Sequence, residues 1–224
     1  MRIVVFIAIA VVIALVLGAT IAVADSVQYS NSIPLMKTNW HSSVIFPQFN
    51  PALGNLTYIE FCLGGHVEGG AKFESLDAAP ATVTMDLNAV MKLLRPDMSE
   101  IVVSIPVVST LDNVMAFDGT VDFGGTSGKA YTGLSADKTE CVTSLPPPSD
   151  LALFIGSGTI TLPVTASGAS AGSGAGNILL NFNASASATA RVKYGYDAVP
   201  EPSALALFLL GVTPAVGMLR RRTR

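Results

Sequence analysis

The stretch Ala81-Thr82-Val83-Thr84-Met85-Asp86-Leu87-Asn88-Ala89-Val90-Met91-Lys92-Leu93 decides the fold. Its odd positions are all apolar, and its even positions are polar apart from Val90. A two-residue period puts successive side chains on opposite faces of a strand, so this is a strand with one buried face. Arg95-Pro96-Asp97 then turns the chain, and Ile101, Val103, Ile105 and Val107 take up the same period. The longest run lies near the end. Ile178, Leu180, Phe182, Ala184, Ala186, Ala188, Ala190, Val192, Tyr194 and Tyr196 alternate with mostly polar residues. That run exceeds the usual strand of about 3–10 residues, so a bend is expected in its Ala-Ser stretch.

Other segments follow suit. Thr159 to Thr165 alternates, with Pro163 suited to an edge or bulge. Leu56–Leu63 and Val67–Phe73 flank Gly64-Gly65 and read as a hairpin. Ser149 to Phe154 reads as one helical turn, with Ser149 or Asp150 as its cap and Gly156 past its end. Pro47–Pro51, Phe123–Ser135 and Pro146-Pro147-Pro148 read as loops, and the glycines from Gly168 to Gly176 as a flexible hairpin loop. No stretch between the ends has a helical period. The expected fold is all-β, an antiparallel two-sheet β-sandwich of about eight strands, flanked by an N-terminal signal helix and a C-terminal hydrophobic helix.

The ends differ from this body. The chain has 224 residues, 50% of them hydrophobic and 13% charged, against the roughly 25% charged of an average soluble domain. At the start, Arg2 precedes an apolar run from Ile3 to Leu17 and the small-residue pattern Ala22-Val23-Ala24. These are the three parts of a secretory signal peptide, residues 1–24, with cleavage by signal peptidase between Ala24 and Asp25. The alternative is an uncleaved anchor, since Ile3–Ala24 is long enough to span a bilayer. The body, residues 25–198, keeps eight basic residues against fifteen acidic ones, a net charge of −7. That balance argues against nucleic acid, which demands clustered Lys and Arg.

At the other end, Val199-Pro200-Glu201-Pro202-Ser203 leads into the apolar run Ala204–Leu219 and then Arg220-Arg221-Arg222-Thr223-Arg224. Arg220, Arg221, Arg222 and Arg224 form a basic stop that holds this end in the cytoplasm. The helix of about residues 204–219 would then cross the membrane before processing. Residues 199–224 closely resemble the PEP-CTERM sorting signal of Gram-negative bacteria, with Val199, Pro200, Glu201 and Pro202 at its motif. The resemblance implies recognition by an exosortase, a membrane cysteine peptidase, in a bacterium that makes extracellular polysaccharide. A plain C-terminal anchor is the alternative.

Phe49-Asn50-Pro51-Ala52-Leu53-Gly54-Asn55-Leu56 and the run Asp150 to Pro163 look like motifs of the choice-of-anchor E domain family. That family consists of exported proteins with various anchoring tails, and it implies no activity. This chain departs from it in carrying two cysteines and a longer middle region.

Candidate chemistry is sparse. Gly168-Ala169-Ser170-Ala171-Gly172 matches the nucleophile elbow in letters, but a glycine-rich loop and a strand follow where a helix is needed. His41 and His66 are the two histidines, and neither sits in a recognisable motif. Cys62, His66 and Glu68 could ligate zinc, although no second paired half follows. Asp112, Asp118 and Asp122 lack the spacing of a calcium loop. Trp40, Phe46, Phe49 and Tyr58 could line a sugar surface, or belong to the core. No catalytic, cofactor or metal residue is therefore assigned, and no cofactor is expected. Cys62 and Cys141, exported to an oxidising compartment, are expected to form a disulfide; two free thiols are the alternative. The expected protein is non-catalytic and exported to the envelope, outer surface or extracellular matrix, with a structural or adhesive role. Its expected partners are the two processing peptidases, with an exopolysaccharide as candidate ligand.

Overall fold

A computed structural model describes residues 24–144 and 152–199. Ten strands run in the order β1 (Ala24–Lys37), β2 (Trp40–Pro47), β3 (Gly54–Ser75), β4 (Ala81–Leu94), β5 (Glu100–Ser104), β6 (Val107–Val114), β7 (Gly128–Ser144), β8 (Thr159–Gly168), β9 (Ala171–Ser173) and β10 (Ile178–Ala198). They form two antiparallel sheets. One has four strands in the order β1-β10-β3-β7. The other has six, in the order β2-β8-β4-β5, with β6 and β9 flanking the first half of β4.

The alternation in β4 is the core. Val83, Met85, Leu87, Ala89, Met91 and Leu93 are all fully buried. From Ala184 to Tyr196 the even residues of β10 supply the facing wall. Its small alanines leave room for Trp40, whose indole N–H donates to the Ala186 carbonyl at 3.1 Å. Near one end, Phe49 packs on Tyr194 and Tyr196 with ring centroids 5.9 and 5.2 Å apart. The Tyr194 hydroxyl donates to the Pro47 carbonyl at 3.0 Å.

Several expectations are corrected. Gly64-Gly65 is not a turn: β3 runs straight through, with Gly64 paired to Thr139 and Thr189, and Gly65 to Lys138 and Ala188. Gly65 is small because the other sheet presses on it. A Cβ there would lie 2.7 Å from Met91 Sδ. The Ile101–Val107 set faces the wrong way. Leu93 pairs with Val102 and Met91 with Ser104, so Val102 and Ser104 point inward, while Ile105 and Val107 are exposed. Cross-strand neighbours share a face, so the register of β4 overrides the apolar pattern. At the start of β10, Leu180 is exposed, because β1 reaches only to Ser185 and leaves residues 178–184 on an edge. β10 stays one continuous strand through the Ala-Ser stretch; its pairing with β1 shifts register there, between Ile33 and Met36 opposite Ala188 and Ala186, and its pairing with β3 shifts at Gly195/Tyr196. The glycine-rich loop is partly ordered as β9, and residues 128–135 belong to β7. A helical turn does occupy residues 152–154, while Ser149 and Asp150 lie outside the described residues.

Candidate functional site

The two ends of the body meet. β1 and β10 are antiparallel neighbours, so Ala24 pairs with Asp197 and Asp25 with Tyr196. The Tyr196 hydroxyl donates to Asp25 Oδ2 at 3.1 Å, and the Val199 N–H donates to the Leu53 carbonyl at 3.2 Å. The sequence stretches around Phe49 and Ile155 also meet nearby, through a short parallel bridge. The Phe49 N–H reaches the Phe154 carbonyl at 2.7 Å, and the Gly156 N–H reaches the Phe49 carbonyl at 3.0 Å. Ala22, Pro200, Glu201, Pro202 and the four arginines Arg220, Arg221, Arg222 and Arg224 lie outside the described residues, as do both expected flanking helices. Among the described residues, no helix is long and apolar enough to cross a membrane.

The outer face of the four-stranded sheet carries most of the remaining candidate chemistry. Cys62 of β3 and Cys141 of β7 are direct cross-strand partners with Cα atoms 4.1 Å apart, and their sulfurs are bonded. The Glu60 carboxylate lies beside this bridge, forming a trio that resembles a metal site by proximity alone. Sulfurs committed to a disulfide do not provide the thiolates that zinc needs. The Cys62–His66–Glu68 reading fails for the same reason.

His66 instead sits between two carboxylates. Asp137 of β7 lies 2.8 Å from Nδ1, and Glu68 lies 3.3 Å from Nε2. The Asp137 hydrogen bond raises the imidazole pKa, partial burial opposes it, and Glu68 adds to the rise. The charged imidazolium, which donates from both nitrogens, is the form this setting favours.

Two depressions flank this ridge. One, of about 240 Å³, is lined by Gly64, Thr139, Ser187 and Thr189. The other, of about 400 Å³, is lined by Gly70, Gly133, Ser135 and Asn183. A register shift in β7 between Tyr131 and Leu134 opens the second, and Gly133 takes φ 69° within it. Glycine is the residue that adopts this conformation at least cost. Sequence reading missed these depressions, because they depend on which strands lie side by side. Along β3 the recurrent glycines at 64, 69 and 70 were the available signal.

The other candidates are held by ordinary structure. Ser170 Oγ bonds with the backbone of Asn88, accepting its N–H at 3.1 Å. Asp118 and Asp122 accept backbone N–H groups of their own loop, at Thr120 and Gly124. Asp112 is remote from that pattern: it binds Lys129 and Tyr131 of β7 and ties the edges of the two sheets together. Burial opposes its charge, but these two partners hold its carboxyl below the ordinary range. Trp40, Phe46 and Phe49 are core residues, which removes three of the four aromatics proposed for a sugar surface. Tyr58 remains on the outer face, its ring lying across Gly195.

No family model matches the chain, and no curated protein does. Among solved structures, the subviral particle of infectious bursal disease virus VP2 matches with a TM-score of 0.24 and 12% identity, over 78% of this chain and 37% of that one. The T13 particle of the same virus matches with a TM-score of 0.22 and 12% identity, over 83% and 42%. A tailspike protein of Acinetobacter baumannii phage AM24 gives 0.17 and 13%, over 73% and 26%. The chain thus spans less than half of each of these proteins, and scores this low transfer neither fold nor function.

Proposed function

We propose that this is an exported, non-catalytic protein of the bacterial envelope or extracellular matrix, with a structural or adhesive body sorted through its C-terminal motif. Signal peptidase would cut after Ala24, and an exosortase would act near Pro200-Glu201-Pro202. A cell envelope or extracellular destination follows from those two addresses. One observation carries the reading. Among the described residues the first and last strands are antiparallel neighbours, with Ala24, the residue before the expected first cut, paired to Asp197, three residues before the motif's Pro200. The described residues beside the two expected cuts therefore lie at one end of the body, and a cut after Ala24 would take only the first residue of β1. The cross-strand disulfide of Cys62 and Cys141 suits an oxidising compartment.

The tail works as a temporary stop in this reading. Ala204–Leu219 halts in the bilayer, and the arginines behind it cannot follow, since each charge costs about 2.5–3.5 kcal/mol at the membrane centre. With no N–H donor at Pro200 or Pro202, the sequence around Glu201 disfavours helix and suits the extended segment that a peptidase would grip. The test is fractionation and intact mass in cells with and without the exosortase. Glu201→Ala should leave an uncut, membrane-held form, as should loss of the peptidase, while Ser203→Ala should process normally. Retention of Arg220–Arg224 in both strains would make the tail a plain anchor.

A second reading, a body that binds polysaccharide, is favoured by the polar outer face described above.

A further inference from the structure

We propose that the outer face of the four-stranded sheet binds a neutral polyhydroxylated polymer, lying across the depressions on either side of His66. This deepens the ligand-binding reading and is independent of the sorting reading. The argument starts from what the face displays. From Tyr58 to Gly70 the outward residues of β3 are Tyr58, Glu60, Cys62, Gly64, His66, Glu68 and Gly70. Opposite them, β10 presents Lys193, Arg191, Thr189, Ser187, Ser185 and Asn183, and β7 presents Thr143, Cys141, Thr139, Asp137 and Ser135. These outward residues include no Leu, Ile, Val, Met or Phe, and the one large aliphatic side chain beside them is Leu134, in the wall of the larger depression.

An apolar partner face or a lipid surface would find nothing to cover here, since protein interfaces carry apolar centres. Nucleic acid would find no excess of positive charge. Three carboxylates, Glu60, Glu68 and Asp137, stand against Arg191, Lys193 and His66, so positive charge is not in excess, and His66 is held by Asp137 and Glu68. What remains is a lattice of short hydroxyls and amides. Strands lie about 4.8 Å apart, and outward side chains recur about every 7 Å along each strand. Hydroxyls both donate and accept, so they match the hydroxyls of a sugar chain in either sense.

The glycines give this lattice its relief. A Cβ at Gly64 would meet Thr139 Oγ1 at 3.2 Å and the Thr189 carbonyl at 3.6 Å, so a side chain at that floor would fit only with a small shift of Thr139. Across the same row, Thr189 Oγ1 and Ser32 Oγ are 3.0 Å apart and leave further hydroxyl valences outward. The ridge of His66, Asp137 and Glu68 separates the two depressions and supplies the strongest donors and acceptors. Tyr58 at the end of the face lies with its ring across Gly195 and Lys193 Nζ 5.9 Å from the ring centroid, so a sugar stacking there would meet the lysine as well as the ring.

The experiment is affinity electrophoresis of the mature protein, purified from its cells with its disulfide-bonded body intact, in gels containing dextran, laminarin, hydroxyethylcellulose, galactomannan or, as an anionic comparison, alginate. Folding of that body is checked first by its circular dichroism and melting curve. The expected result is retardation by at least one neutral polymer. Thr139→Arg in one depression and Asn183→Arg in the other should each weaken it about tenfold or more, the loss expected from blocking one or two hydrogen bonds. Thr161→Arg, on the outer face of the other sheet, should bind as the parent does. No retardation in any neutral gel overturns the proposal. So does retardation in alginate alone that salt abolishes, or equal loss in Thr161→Arg. The sorting reading is judged separately, by the mass of the processed tail.

Discussion

β4 and β10 are written in the same alternating code, yet they are buried differently. In β4 every odd residue from Val83 to Leu93 is fully buried. In β10 the even residues are buried only from Ala184 onward, while Leu180 stands 37% exposed. The difference lies in the neighbours. Through Met85 and Asp86, β4 is flanked by β6 and β9, and through Met91 to Leu93 by β5 and β8. By contrast, the first residues of β10 have β3 on one side and no β1 on the other. An alternating pattern announces two faces, but burial depends on whether strands surround the segment.

The sharpest test of that contrast sets Val192 against Leu180. Val192→Asp would place a carboxylate in the closed part of the core, and the domain should not fold, with a loss above about 4 kcal/mol. Leu180→Asp should cost only about 1 kcal/mol, because the side chain reaches water. Melting curves of the two variants decide it; equal collapse would mean that the two halves of β10 are equivalent after all.

The disulfide comes next in size. Replacing both Cys62 and Cys141 with Ser should lower stability by about 3–5 kcal/mol in the chain-entropy account, since the closed loop is long. Urea midpoints measured with and without reductant should show this loss in the parent and no further loss in the variant.

Gly65 and Gly64 differ in the same way as the two halves of β10, one facing in and one out. Gly65→Val should cost about 1–3 kcal/mol by overpacking against Met91, whereas Gly64→Ala should stay within about 0.5 kcal/mol. If both were turn residues, both changes would be costly.

The smallest effect is electrostatic. The folded-state pKa of His66 is raised, so its contribution is fully present below the unfolded value of about 6.5 and fades as pH rises through the folded one. His66→Gln should therefore destabilise more at pH 5.5 than at pH 8. The difference should be below about 1 kcal/mol, since Asp137 is solvent-exposed.

These contrasts show what was legible. The strand character of 81–93, 159–165 and 178–196 could be read from period alone, and the antiparallel two-sheet class from the turns between them. Pairing could not. Ile101, Val102 and Val103 are all apolar, so the apparent period leans on Ile105 and Val107, which lie outside β5, and the register against Leu93 decides the face. Gly64-Gly65 has the letters of a turn, while its use is to admit Met91 from the opposite sheet. Asp112, Lys129 and Tyr131 come together only because the edges of two sheets meet there. The outer face around His66 was hidden for a similar reason, being assembled from three strands far apart in sequence.

The two proposed cuts would bracket a body whose first and last described strands, β1 and β10, lie side by side. The most direct test of this central claim is the intact mass of the mature protein, purified from the envelope or medium and measured without reductant. The account predicts an N-terminus at Asp25, a C-terminus within or beside Pro200-Glu201-Pro202, and a mass lowered by the two hydrogens lost to the Cys62–Cys141 bond. A mature chain that still carries Ile3–Ala24 or Arg220–Arg224 would contradict it.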